Sequence, residues 1–338
     1  KEMNLRKDYL KGEPVHTIYF GGGTPSLLSM EEIGRILEEA FKLFNCCPEE
    51  ITLEANPDDL SPYYIRSLRK LPVNRLSIGI QSFSDVDLKR MNRRHTSSQA
   101  INAVKTCQDA GLDNISIDLI YGLPDQTLEQ WEKNLQMAID LQMPHISAYH
   151  LSYEKGTEFF RQWQQGKISP TEETLSETMF RMLRNRLKEA GFQPYEISNF
   201  AKPGMESKHN SSYWNDVPYI GLGPSAHSYD RVSRQWNVSD AIIYLEALEK
   251  GNPFYEREEL DEKTRYNDFI ITSLRTMKGI DILLMKKKFG EKLPAYCLQN
   301  AATYVNNNLL ELKDNNLRLT EESLFISDGI MSELLWVD

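Results

Sequence analysis

Short apolar runs alternating with amphipathic stretches of helical period organise the first two hundred residues. Ile18, Tyr19 and Phe20 read as a buried strand that runs into three glycines, Gly21 to Gly23, before Thr24 and Pro25 turn the chain. Ser29 and Glu32 have capping-box spacing, and Ile33, Ile36, Leu37, Phe41 and Phe44 recur behind them on one helical face. Residues 51–57, 75–83, 114–124 and 145–152 read as four further strands. Between them fall a short helix from Pro62, a helix capped by Ser97 or Ser98 and closed by Gly111, and a helix opened by a Thr127–Gln130 capping box. A long helix over 171–190 precedes a sixth strand at 195–198, and residues 1–12 are the tail of a helix stopped at Gly12. This alternation predicts an α/β fold of right-handed βαβ units around a parallel sheet. Strands covered on both sides are expected to be apolar on both faces.

After about residue 250 the alternation ends. Helices are expected over 264–274, 282–289 and 295–307, then a hairpin over 309–320 and a last helix from Ser327. Three helices and a wing suggest a winged-helix-like module serving as a lid or docking domain.

Several polar residues fall at or just past the ends of successive strands. Gly21 to Gly23, Glu54, Gln81, Asp118, Tyr149 and Glu196 would share one rim, the face on which barrels of βα units bind ligands. A Glu or Gln alone at a strand end is usually solvated or capping the next helix, and the glycines fit an ordinary strand-to-helix turn as well as a ligand cradle; together they favour a shared polar site. Farther on, His209-Asn210 beside Tyr213-Trp214 fits two readings. It is either a loop packed by side-chain hydrogen bonds, or an imidazole offered to a metal with rings that stack on a flat ligand. Gly221 and Gly223 punctuate another strand end suited to close backbone approach.

Composition narrows the class. At 338 residues, 40% hydrophobic and 26% charged, the chain can build a large domain plus a small one. A net charge of −10 argues against nucleic-acid binding, which needs a basic footprint. No apolar run has the length of a membrane span and no signal-peptide pattern is present. Cys46, Cys47, Cys107 and Cys297 have neither metal-ligand spacing nor a disulfide framework, so a reduced cytoplasmic protein with inert thiols is expected.

Four motifs in order make a more specific pattern: IYFGGGTPSLL at 18–28, LEANP at 53–57, SIGIQSF at 77–83 and IDLIYGLP at 117–124. This set resembles the radical S-adenosylmethionine (radical SAM) proteins of the oxygen-independent coproporphyrinogen III oxidase group. HNSSYW at 209–214, with YEISNFAKPG at 195–204 upstream, is similar to the HNxxYW region of its haem-chaperone branch. The resemblance implies an incomplete (β/α)6 TIM-like barrel over 1–250, with a haem loop at 199–230, and a small helical, winged-helix-like domain over 251–338. It implies that Gly21, Gly22, Gly23 and Thr24 hold the methionyl part of S-adenosylmethionine, and that Glu54, Gln81, Arg93 and Asp118 contact its polar groups and ribose. Gly221 and Gly223 would lie near the adenine. His209 would bind haem iron, with Asn210, Tyr213 and Trp214 shaping the loop.

The implied function is haem carriage to an acceptor protein; the alternative is oxidative decarboxylation of coproporphyrinogen III by a SAM-derived radical. The family also carries a 4Fe-4S cluster on a CxxxCxxC motif ahead of the glycine strand. No such spacing occurs here and the chain opens on Lys1, so the first strand and cluster loop are expected to lie outside these residues. A homodimer and peripheral membrane association are left open.

Overall fold

The computed structural model describes residues 1–337. They form two compact units: residues 17–34 with 49–207, and residues 1–16 with 35–48 and the described residues from 208 on.

The first unit is built on a seven-stranded sheet ordered β1-β2-β3-β4-β5-β7-β6. Its strands are β1 (Val15–Phe20), β2 (Cys46–Ala55), β3 (Arg75–Gln81), β4 (Ile115–Tyr121), β5 (His145–His150), β6 (Gln193–Pro194) and β7 (Asn199–Ala201). From β2 to β5 neighbours are parallel, as the alternation of strand and helix requires. The predicted capping boxes at Ser29–Glu32 and Thr127–Gln130 are both formed.

One face of this sheet is apolar. Leu53, Leu76, Ile78, Ile80, Ile115, Ile117, Leu119 and Ile146 are fully buried there. Helices Ser97–Asp109, Leu128–Asp140 and Glu173–Glu189 bring Val104, Trp131, Leu135, Met179 and Leu183 into the same core. Trp131 stacks on Tyr121 with ring centroids 5.2 Å apart and donates its Nε1–H to the Met179 carbonyl at 3.0 Å. An indole can be buried fully only when its N–H finds such a partner.

Four expectations are corrected. The second strand begins at Cys46, not near 51. Thr96, not Ser97 or Ser98, caps the next helix, because Thr96 and Gln99 complete the reciprocal box. The segment 195–198 is not a sixth parallel strand but the connection between β6 and β7, and β7 runs antiparallel to β5. Pro194 lacks the N–H that a longer ladder would need. Finally, the strands are not apolar on both faces: the second face of β2 to β5 is polar.

In the second unit, β8 (His227–Tyr229), β9 (Ser233–Asn237) and β10 (Tyr255–Glu259) form an antiparallel sheet. Helix Ala241–Lys250, N-capped by Asp240, connects β9 to β10. The carboxyl-terminal part matches the predicted helices and wing: Glu262–Arg275, Ile282–Phe289 and Lys292–Asn306, then the hairpin β12 (Leu310–Lys313) and β13 (Asn316–Leu319), which β11 (Ile280–Asp281) completes. Helix Ser327–Leu334 ends it.

Candidate functional site

Side chains alternate across a strand, so residues two apart share a face. On the face opposite the helices, β2 carries Glu50, Thr52 and Glu54, and β3 carries Arg75, Ser77, Gly79 and Gln81. β4 adds Ser116 and Asp118; β5 adds His145, Ser147 and Tyr149. Register sets Glu54, Ser77, Ser116 and His145 in one row across four strands, with Asp118 beside Ser147 in the next.

At the floor of this face Glu50 and Arg75 are almost wholly buried, with Nε and Oε2 4.0 Å apart. Arg75 also donates to Asn114 Oδ1 at 2.6 Å, and burial lowers the pKa of its guanidinium. Ser116 Oγ lies 2.7 Å from His145 Nδ1, and His145 Nε2 lies 2.8 Å from the Tyr195 hydroxyl. Burial, with Arg75 nearby, holds the His145 pKa well below its usual value, so the ring is neutral. Ser147 donates to Asn199 Oδ1 at 2.7 Å, and Asn199 donates to Glu196 Oε1 at 2.5 Å. The buried polar groups thus satisfy one another.

Toward the strand ends the face opens into the predicted rim. The Tyr19 hydroxyl donates to Glu54 Oε1 at 2.7 Å, and the Gly22 N–H donates to Oε2 at 3.1 Å. Burial first, then the Glu54 charge, raises the Tyr19 pKa far above normal. A Cβ on Gly21 would stand 2.4 Å from Tyr19 Cε1 and 3.0 Å from Glu54 Oε1, so a side chain there has no room. Gly22 and Gly23 have φ of +74° and +61° with open space beyond, leaving the backbone approachable. Thr24 caps the short turn Pro25–Leu27 without a side-chain bond to it.

Asp118 is the most perturbed carboxyl of the rim. Burial pushes its pKa up to about 7; the Ser147 hydrogen bond opposes this, the Glu54 charge adds to it, and Arg75 and Arg93 lower it. Arg93 donates to Asn56 Oδ1 at 2.7 Å and to the Gly79 carbonyl at 3.0 Å. Gln81 ends β3 at φ +68°, where the register with β4 slips. A Cβ on Gly79 would lie 2.9 Å from Gln81 Nε2 and 3.3 Å from Arg93 Nη2. Burial, then Asp118, pushes the Tyr149 hydroxyl up to about 12. The face therefore gathers Gly21 to Gly23, Glu54, Gln81, Arg93, Asp118 and Tyr149 into one set of acceptors, donors and bare backbone. Such a set suits a polar ligand bearing amine and hydroxyl donors and a carboxylate. Glu196, fully buried and accepting from the Ser198 N–H at 2.8 Å, joins this set from below: Asn199 links it to Ser147, and its charge adds to the raised Tyr149 pKa.

The thiols do not fit an iron–sulfur cluster. Cys107 and Cys297 are buried in separate helices, where burial pushes their pKa values up to about 12 and about 11. Cys46 and Cys47 adjoin at the start of β2, and Cys47 Sγ lies 3.6 Å from His16 Nδ1. Among the described residues no group of three His, Cys, Asp or Glu can hold a metal ion.

The HNSSYW segment lies in the other unit as the helix Lys208–Trp214, not a loop. One turn along it, His209 Nε2 meets the Tyr213 hydroxyl at 3.0 Å, with their rings edge to face at 5.1 Å. Tyr213 meets Tyr219 edge-on at 4.9 Å, and Tyr219 neighbours Tyr229. Asn210 is half-buried on the same helix. Gly221 and Gly223 precede β8, with backbone groups already engaged. Gly221 N donates to Ser228 Oγ at 2.9 Å, and Gly223 N donates to Glu2 Oε2 at 2.8 Å. Arg6 donates to the Gly221 carbonyl at 2.9 Å, and Asn237 to that of Gly223 at 2.8 Å. Glu2 and Arg6 form a buried pair at 3.1 Å that organises this segment.

Comparison with known proteins gives two family matches: the Radical SAM superfamily over residues 3–138 and the HemN C-terminal domain over residues 260–326. The chain is 32% identical over 327 residues to the "Heme chaperone HemW" of Lactococcus lactis, covering 96% of this chain and 86% of that protein. It is 31% identical to the protein of the same name from Bacillus subtilis, with the same coverage. The solved structure of coproporphyrinogen III oxidase (HemN) from Escherichia coli, a radical SAM enzyme, superposes with a TM-score of 0.83 at 21% identity. That match covers 98% of this chain and 80% of that one, and shows a shared fold.

Proposed function

This chain belongs to the HemW family of radical SAM proteins, and from that premise we propose that it binds haem as cargo and hands it to an acceptor protein. The observation that carries the reading is the helix Lys208–Trp214, which sets a half-buried His209 edge to face with Tyr213, itself packed on Tyr219, and ends at Trp214. An imidazole is the side chain of choice for haem iron, and flanking rings suit a flat, largely apolar ligand. Its Nε2 contacts the Tyr213 hydroxyl in the unliganded fold, so iron ligation through Nε2 exchanges that hydrogen bond for a metal bond. Asn210, Tyr213 and Trp214 shape the surroundings of the iron ligand.

The polar rim of the first unit supports a second assignment, S-adenosylmethionine. Gly21 to Gly23 with Thr24 take its methionyl end, and the doubly held Glu54 carboxylate faces its ammonium. Gln81, Arg93 and Asp118 take its remaining polar groups and ribose hydroxyls. When a cluster is present, S-adenosylmethionine supplies radical chemistry; the residues here bind and orient it. The oxidase alternative shares the fold, whereas the haem-chaperone reading rests on relatives matched along nearly the whole chain. A haem-acceptor protein and a cytoplasmic setting belong to the proposal. No helix among the described residues is long and apolar enough to cross a membrane.

The test is an absorbance titration of haem into this chain beside His209→Ala. A saturable Soret shift that the substitution abolishes supports haem carriage with His209 on the iron. Identical titrations refute His209 as ligand, and no binding by either protein refutes haem as cargo for these residues.

A further inference from the structure

We propose that Trp214 and Arg275 form a carboxylate-binding corner, at the end of the helix that carries His209, that takes a propionate of the tetrapyrrole; this rests on the haem reading above. Trp214 ends the helix that carries His209, five positions earlier, so the iron ligand and the corner share one short element. The Trp214 Nε1–H is buried and has no hydrogen-bond partner among the described residues. An indole nitrogen can only donate, and a buried donor without an acceptor is costly enough to be rare in a settled fold. Trp131 shows the ordinary arrangement in the same protein, its N–H paired with a carbonyl. The unpaired N–H of Trp214 therefore calls for an acceptor that arrives with a ligand.

Arg275 says what kind of acceptor. It ends helix Glu262–Arg275 and lies over the Trp214 ring, its guanidinium carbon 5.4 Å from the centroid. The contact holds a planar cationic fork over the ring that carries the orphan N–H. A fork and an N–H on adjoining groups suit an anionic, two-oxygen acceptor, and carboxylate is the match. Haem carries two such carboxylates at the edge of a flat apolar ring. One protein helix would then present both an iron ligand and a propionate donor, fixing which way round the cargo sits. Arg275 lies in the segment matched by the HemN C-terminal domain, which gives that segment a part in cargo binding.

The experiment compares haemin with haemin dimethyl ester, in the same detergent, on the chain as it stands and on Trp214→Phe, Arg275→Gln and His209→Ala. Phenylalanine keeps an aromatic ring for Arg275 to lie over and removes the N–H with the indole's second ring; circular dichroism checks the fold of each variant. For haemin, Trp214→Phe and Arg275→Gln should each weaken binding by roughly tenfold, the scale of one charge-assisted hydrogen bond. The Soret position should be kept, since the iron ligand is untouched. The ester should bind the unsubstituted chain more weakly than haemin does, and neither variant should change its affinity further. Equal affinity for haemin and ester, or unchanged haemin affinity in both variants, overturns the corner while leaving haem binding intact. Failure of the unsubstituted chain to bind either probe overturns the haem reading, and this inference with it.

Discussion

Replacing Asp118 by asparagine isolates the electrostatic cost of keeping an acid inside the rim. The carboxyl titrates near 7 instead of 3.8, chiefly through burial, with Glu54 adding to the effect. Roughly three pH units at about 1.36 kcal/mol each set an upper bound of about 4 kcal/mol. Asp118 retains some accessible surface, and solvent screens part of the penalty, so about 2–4 kcal/mol is the expected range. The direction follows from proton binding. Between pH 3.8 and about 7 the unfolded chain has released this proton while the native chain keeps it. Native stability therefore falls as pH rises through that window and levels off above it. Asp118→Asn removes the titration and keeps the size and shape of the side chain. It should stabilise the chain by about 2–4 kcal/mol at pH 8, and by less than about 1 kcal/mol at pH 4. Urea denaturation of both proteins at pH 4, 5.5, 7 and 8 reads the difference directly. His145, which must take up a proton on unfolding in acid, affects both proteins alike and cancels. Equal midpoints at pH 8, or a gap that does not narrow toward pH 4, would refute the account of Asp118.

Other substitutions test neighbouring parts of the structure. Gly21→Ala should cost about 1–3 kcal/mol, because its Cβ meets Tyr19 at 2.4 Å. Gly34→Ala, inside helix Met30–Leu43 with only Leu71 nearby at 3.5 Å, should instead stabilise by about 0.5–1 kcal/mol; thermal melts that rank the two otherwise refute the steric argument. Glu54→Gln should weaken binding of S-adenosylhomocysteine roughly tenfold by calorimetry, through loss of a charged acceptor. An unchanged affinity removes Glu54 from the ligand contacts. Trp131→Phe should cost about 1–3 kcal/mol in denaturant unfolding, through the space left by the indole's second ring and the lost bond to the Met179 carbonyl, and an unaltered midpoint would contradict that.

The parts of this molecule that were readable along the chain are those set by local rules. Strands β3 to β5, two of the capping boxes and the carboxyl-terminal helices and hairpin all follow from apolar periodicity and capping residues close in sequence. The antiparallel end of the central sheet was not readable, because strands of two and three residues around Pro194 carry almost no periodic signal. The polar floor was readable in principle. E-x-T-x-E in β2, R-x-S-x-G-x-Q in β3, S-x-D in β4 and H-x-S-x-Y in β5 alternate polar and apolar residues. The general expectation that parallel strands are apolar on both faces obscured it. Glu50, Arg75, Ser116 and His145 were missed for that reason. The Glu2–Arg6 pair was hidden differently: its partners lie more than two hundred positions away, and no local pattern marks a contact of that range.

The two faces of the central sheet also differ in how they can change over time. On the helix-covered face, Ile78 or Leu119 can exchange for another aliphatic residue of similar volume at small cost, because dispersion contacts are forgiving of identity. On the opposite face, Ser116, His145 and Tyr195 each complete a neighbour's hydrogen bonding, so altering one strands another. Substitutions there should be tolerated mainly as matched pairs. Related chains would then drift freely on one side of each strand while the other side moves in concerted steps, and that pairing would outline the floor of the site from sequences alone.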